Sequence, residues 1–315
     1  GVLPEDLVPL TPTEQAELAI AFTARSGRTD QLLPDLMFLP DFSHTVFNSA
    51  VSFAGFHFPY GANFSSATFF GETNFHSATF SAVCLFNSAT FTGLAYFNSA
   101  TFSEVCLFNS ATFSGGASFE SATFSGGASF GSAMFSWDAD FESATFSRLA
   151  DFKSVTFSGS ANFASATFSA GVTFESATFA SSINFINSEF TAKTIFAHAH
   201  FKSEVPDFRG AKLHEATEWH GVRWPAAPLD KTSAQDQVYA YERLKQEMER
   251  LKKHEDEQFF FRKELRARRE LVPFWTAAWW FNFLYAVLSD YGQSTSKPLL
   301  WLCGLFLLVS ELGRQ

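Results

Sequence analysis

Cysteine is nearly absent from this chain of 315 residues: Cys84, Cys106 and Cys303 are the full set. Three thiols at those spacings make neither a disulfide framework nor a metal-ligand pattern, and they suit a reducing compartment. Charge is sparse too, at 17% of residues, with a net of −10. Residues 41–210 hold 12 Asp plus Glu against 5 Lys plus Arg, a net of −7, which repels a phosphate backbone and excludes direct nucleic-acid binding. No basic-then-apolar leader follows Gly1, so no signal peptide is expected, and the missing Met suggests a fragment or processed chain. Ser/His/Asp arrays, phosphate-cradling Gly loops and paired carboxylates in an apolar setting are all lacking, so no catalytic residue and no cofactor is assigned. Tyr (6) and Trp (7) are few beside 42 Phe. Phe has no polar group needing a partner, which suits a column of identical buried rings.

Thirty of those Phe fall between Phe42 and Phe201 at gaps that alternate strictly between five and six residues. The middle of the series is Phe86, Phe91, Phe97, Phe102, Phe108, Phe113, Phe119, Phe124, Phe130, Phe135, Phe141 and Phe146. Neither gap matches a helix or a plain strand, so each step must turn a corner. A fixed short period marks a solenoid, whose units bury their apolar faces only by stacking. These twelve rings are the predicted structural core. Two positions before most Phe stands a small residue (Ala78, Cys84, Ala95, Cys106, Ala117, Ala122, Ala128, Ala144), with Thr, Ser, Asn or Asp between. The Gly pairs at 115–116 and 126–127 read as corners.

This pattern of small, polar, large apolar and turn residues over 42–210 resembles the pentapeptide-repeat family, in a Phe-rich form with one residue added to every second unit. The resemblance implies that the Phe and the small residue both point inward and that four units close one square coil. The expected fold class is a mainly β solenoid, a right-handed quadrilateral β-helix of about 22 residues per coil, with an N-terminal helical cap and C-terminal α-helices. Thirty Phe at four per coil make about seven and a half coils, roughly 35 Å long at 4.8 Å per coil.

The flanks read differently. Residues 1–41 form the cap: Thr11-Pro12-Thr13-Glu14 opens a helix running to about Arg25, with Leu18, Ile20 and Phe22 to lay over the first coil. Residues 211–231 read as a linker. Residues 232–272 read as one charged amphipathic helix whose stripe is Val238, Tyr241, Leu244, Met248 and Leu251. That stripe is expected to pack on the solenoid end or a second helix rather than to form a partner-binding coiled coil. Residues 273–315 follow, an aromatic segment and then an uncharged apolar run from Pro298 to Val309. Beside them stands a basic cluster of Arg262, Lys263, Arg266, Arg268 and Arg269, the pattern of a helix in a membrane interface. About twelve apolar residues reach only ~18 Å, short of a bilayer core. The order of these pieces resembles the tail of bacterial membrane-bound pentapeptide-repeat proteins. It implies membrane attachment with the repeats on the cytoplasmic side, a pore beyond residue 315 being the alternative.

The remaining candidates are weaker. His198, His200, His214, Glu215, Glu218 and His220 crowd together, but they match no ligand spacing of known type and read as solvated residues at the last coil. Cys84 and Cys106, 22 apart, should stack at one inward position as small apolar fillers, without forming a redox pair. Outward Thr and Ser ladders beside Phe113, Phe124 and Phe146 share the geometry of ice-binding solenoids, though Thr in strands and Ser at corners explains them. The outward column Asn98, Glu120, Glu142, Ala164, Ile186 makes no continuous acidic stripe, which counts against the DNA-mimic role some pentapeptide-repeat proteins have with DNA gyrase. The function expected is a non-enzymatic, membrane-associated scaffold that binds an unknown protein, with homo-oligomerisation through the helices or membrane segment open.

Overall fold

A computed structural model describes residues 40–226, 231–292, 294 and 296–312, with side chains as far as Gly304. The expected cap helix within 1–41 lies outside these residues. The Phe series builds what its spacing predicts. Each short side is a two-residue strand, and strands 22 residues apart pair in parallel to form four walls. The first wall has eight strands, from Val46–Phe47 to His200–Phe201. The second begins at Val51–Ser52, the third at His57–Phe58 and the fourth at Ala62–Asn63, with seven strands each. Register is strict, Thr101 on Thr123 and Phe102 on Phe124.

All thirty rings of the series are buried. Each stacks on its equivalent one coil away, as Phe97 does on Phe119 at 4.8 Å and 2° between planes. Across the bore the rings meet edge to face, Phe97 on Phe108 at 5.5 Å and 86°. Both geometries suit the ring quadrupole, and each buried ring contributes on the order of 2–3 kcal/mol. The small residues fill the other inward position: Ala78, Ala95 and Ala122 are all buried. Before the first and third walls the corner residue is left-handed, and it is Ser at eleven corners from Ser66 to Ser176, with φ between 55° and 58°. A non-Gly residue is strained there. Its N–H is tied to the neighbouring coil, as Ser121 N donates to Glu142 O at 2.8 Å, so stacking holds the strained corner.

The array runs past its expected end at residue 210. Bridges at Asp207, Lys212, Glu218 and Arg223 add a further coil. Phe208 stacks on Phe185 (4.9 Å), Trp219 on Phe196 (4.7 Å), and Trp224 tilts over Phe201 (5.4 Å). Leu213 is buried at the remaining side. Most of the expected linker is therefore solenoid. The step from Phe201 to Phe208 is seven, so one inserted residue broke the rhythm, and Leu and Trp then replaced Phe.

The helical unit, residues 227–315, is a separate compact body. The single helix expected over 232–272 is two: α1 (Lys231–Arg250) and α2 (His254–Leu271). Lys252 turns left-handed (φ 57°), and Lys253 N donates back to Met248 O at 2.9 Å. The chain thus reverses without the Gly or Pro that would have announced it. Glu255, Asp256 and Glu257 in the first turn of α2 were the available signal. Val238, Tyr241, Leu244 and Met248 of the stripe are buried, as are Phe260 and Ala267 of α2. The two helices form an antiparallel pair, tied by Lys245 Nζ to Glu264 (2.6 Å) and by Arg268 to Glu242 (3.3 Å), with Arg268 also paired to Glu264 on its own helix (2.7 Å). Next come α3 (Ala277–Ser289), capped by Thr276 Oγ1 accepting from Trp279 N, and α4 (Ser296–Leu312).

Candidate functional site

The sequence candidates on the solenoid separate into walls of two kinds. The first and third walls turn Thr outward coil after coil; the third carries Thr79, Thr101, Thr123, Thr145 and Thr167 in register. The second and fourth walls vary. Outward on the fourth, Leu85 pairs with Leu107, flanked by exposed Val83 and Val105. On the second, Ser118, Asp140 and Asn162 follow one another, with Leu94 and Trp137 exposed at its edge. Burial raises the Asp140 pKa, and repulsion from Glu142 and Glu120 adds to it, against hydrogen bonds from Glu142 N and Asn162 Nδ2. Asn98 donates to Glu120, so that column is partly internally paired.

Two expectations inside the solenoid change. Cys84 and Cys106 share one inward position, as their spacing required, but they are joined as a disulfide rather than left as free fillers. In-register pairing sets their Cα atoms 4.7 Å apart, within bridging range. Among the histidines, His198 and His220 pack edge to face at 5.1 Å, and His200 is held below its ordinary pKa by burial, Lys202 and Arg223. No group of three or more His, Cys, Asp or Glu among the described residues could hold a metal ion.

The basic cluster is brought together on α2, but it is mostly paired. Arg268 serves Glu264 and Glu242, and Arg269 reaches Glu270 (3.3 Å) and lies over the Trp279 ring (5.8 Å). Arg262 and Arg266 both donate to Asp290, at 3.0 and 3.3 Å. Lys263 sits over the Phe259 ring, its pKa lowered by burial and by Arg266. Asp290 belongs to an elbow of three successive left-handed residues, Asp290, Tyr291 and Gly292 (φ 49°, 56°, 87°).

Helix α3 is apolar nearly all round. Its half-buried side is Trp279, Asn282, Phe283, Ala286 and Val287, and from it Asn282 Nδ2 donates to Leu265 O of α2 (3.2 Å), while buried Tyr291 Oη donates to Asn282 Oδ1 (2.8 Å). Its outer side is apolar as well, with Trp280 50% and Phe281 74% exposed, beside Leu284, Tyr285 and Leu288. No α3 residue is buried. Trp275 before it (73% exposed) and Leu299, Leu300, Trp301 and Leu302 of α4 extend the uncovered surface. The aromatic content was legible in the sequence, whereas the side it would face was not. Among the described residues no helix is long and apolar enough to cross a membrane.

Residues 86–145 and 130–178 match the family model described as pentapeptide repeats (9 copies). No curated protein and no solved structure matches the chain.

Proposed function

We propose that this pentapeptide-repeat β-solenoid is a binding scaffold, not a catalyst, carried at a lipid surface by α3 and α4. The observation that carries the lipid reading is the outer side of α3, where Trp280, Phe281, Leu284, Tyr285 and Leu288 stand exposed on a helix without a single charge. A water-facing helix would carry polar residues on that side. Aromatic side chains on a helix too short to span suit the headgroup boundary, with the helix lying in its plane. The cluster Arg262, Lys263, Arg266, Arg268 and Arg269 ahead of the apolar run favours the cytoplasmic leaflet. Protein recognition falls on the second and fourth walls, whose outward side chains differ from coil to coil, as a specific surface must. The column in which Glu120 and Glu142 share places with Asn98, Ala164 and Ile186 makes no continuous acidic stripe, which disfavours a DNA gyrase partner.

The test is flotation of the full chain with neutral phosphatidylcholine vesicles while tryptophan emission is followed. Wild type should float and shift to the blue. The Trp280→Ser/Phe281→Ser variant, changed only at exposed positions, should keep its circular dichroism and lose both responses. Wild type that stays at the bottom of the gradient would remove the lipid surface from this reading.

A further inference from the structure

We propose that Arg262 and Arg266 form a phosphate seat on α2, that Asp290 occupies it as a built-in anion, and that a phosphate group displaces Asp290 and frees the elbow. The chemistry is that of a phosphate mono- or diester, as in an anionic phospholipid headgroup or free phosphate. The headgroup arm rests on the lipid-surface reading above.

The seat is built from two guanidinium groups four residues apart on one helix face, converging on a single carboxylate at 3.0 and 3.3 Å. Its donors outnumber what Asp290 takes. Arg262 is only 26% exposed, and its Nε is buried without a hydrogen-bond partner, because Asp290 Oδ2 is met by Nη1 alone. A buried guanidinium N–H left unmade is costly. A tetrahedral phosphate offers more acceptor oxygens than a carboxylate and matches the forked donors of Arg, so it can take the Nε proton that Asp290 leaves. Lys263 and Arg269, the other cations near the seat, are engaged elsewhere, over the Phe259 and Trp279 rings.

The occupant is also the piece best placed to leave. Asp290 and Tyr291 are non-Gly residues in the left-handed region, immediately before Gly292, and such strain persists only where surrounding contacts impose it. The double ion pair is one such contact, and the Tyr291–Asn282 hydrogen bond is another. With phosphate on both arginines, the Asp290 carboxylate returns to water, while the Asn282 and Trp279 ties of α3 to α2 remain. No bond is made or broken in this exchange beyond hydrogen bonds.

The experiment uses the full chain and vesicles of phosphatidylcholine alone or with phosphatidic acid, at fixed ionic strength. Asp290→Asn removes the charge, while Asn keeps the shape and tolerates the left-handed conformation. Arg262→Gln/Arg266→Gln removes the seat, and Glu255→Gln gives the same charge change as Asp290→Asn elsewhere in the helical unit. Wild type should prefer the phosphatidic acid vesicles. Asp290→Asn should strengthen that binding about tenfold, the scale of one charge-assisted hydrogen-bonded pair. Glu255→Gln should not change it, and the double Gln variant should lose the preference while still binding neutral vesicles. Inorganic phosphate that competes where equal chloride does not identifies a seat reading phosphate alone; preference without competition identifies the headgroup. Equal behaviour of Asp290→Asn and Glu255→Gln would overturn the seat and leave lipid docking intact. Failure to bind any vesicle would sink lipid docking, and calorimetric titration of the Asp290→Asn chain with inorganic phosphate would then decide the seat, no heat of binding ruling it out.

Discussion

Two neighbouring glycines at one corner of the solenoid have opposite needs. A Cβ on Gly126 would run into the Glu104 carbonyl of the adjoining coil, whereas one on Gly127 would meet nothing nearer than Leu149 O at 3.8 Å. Gly126→Ala should therefore cost more than about 2 kcal/mol, because backbone must move, and Gly127→Ala should be neutral or slightly stabilising through a less disordered unfolded chain. Urea melts of the two variants check this; equal costs would mean the corner backbone yields freely. Asp140 gives a second test at this scale. Its folded pKa is raised, so the folded chain holds that proton to higher pH than the unfolded chain does. The contribution from the proton is present at acid pH and lost as pH rises through the shifted value. Asp140→Asn keeps an acceptor for Glu142 N and joins a column that already holds Asn74 and Asn162. It should stabilise the chain at pH 7 by up to about 1 kcal/mol after solvent screening, and by nothing below the carboxylate range. An advantage that persists in acid would assign it to something other than charge.

At the scale of the coil, the Cys84–Cys106 bridge joins two neighbouring turns at a position that elsewhere takes Ala62, Ala128 and Ala150. Cys84→Ala/Cys106→Ala should therefore fold, losing at most the ~3 kcal/mol expected for closing a loop of about this length. Native wild type should show one reactive thiol, exposed Cys303, and two more only after denaturation and reduction. Three reactive thiols in the chain denatured without reductant would mean the bridge is absent. The same position shows why some elements were legible and others were not. A strict gap of five and six fixes the phase of every Phe, so walls, register and the shared place of the two cysteines followed from the sequence. Bridging depended on a distance, which phase alone does not supply. The last coil was hidden by one inserted residue and by Leu213, Trp219 and Trp224 standing in for Phe. The break between α1 and α2 was hidden because Lys252 adopts a conformation its residue type does not advertise. Arg262 and Arg266 announced a basic cluster, but their partner Asp290 lies 28 and 24 residues away, beyond any local pattern.

At the scale of the molecule, two bodies with separate cores carry unlike charge. Residues 1–226 hold 20 acidic and 9 basic side chains, a net of −11, and residues 227–315 hold 12 and 13, a net of +1. Self-repulsion therefore belongs to the first body, and salt should relieve it there alone. A Phe124→Ala substitution removes a ring stacked at 4.7 and 4.8 Å on Phe102 and Phe146, at a cost of about 3–5 kcal/mol, within the same body. Urea unfolding followed by ellipticity at the helical minimum, and separately by a probe on a solenoid wall such as the exposed Trp137, should resolve two transitions. Salt should raise the midpoint of the wall transition and Phe124→Ala should lower it, while the helical transition stays in place. If both probes move together under either change, the two bodies unfold as one cooperative unit, and the stability of the helices is borrowed from the ring columns.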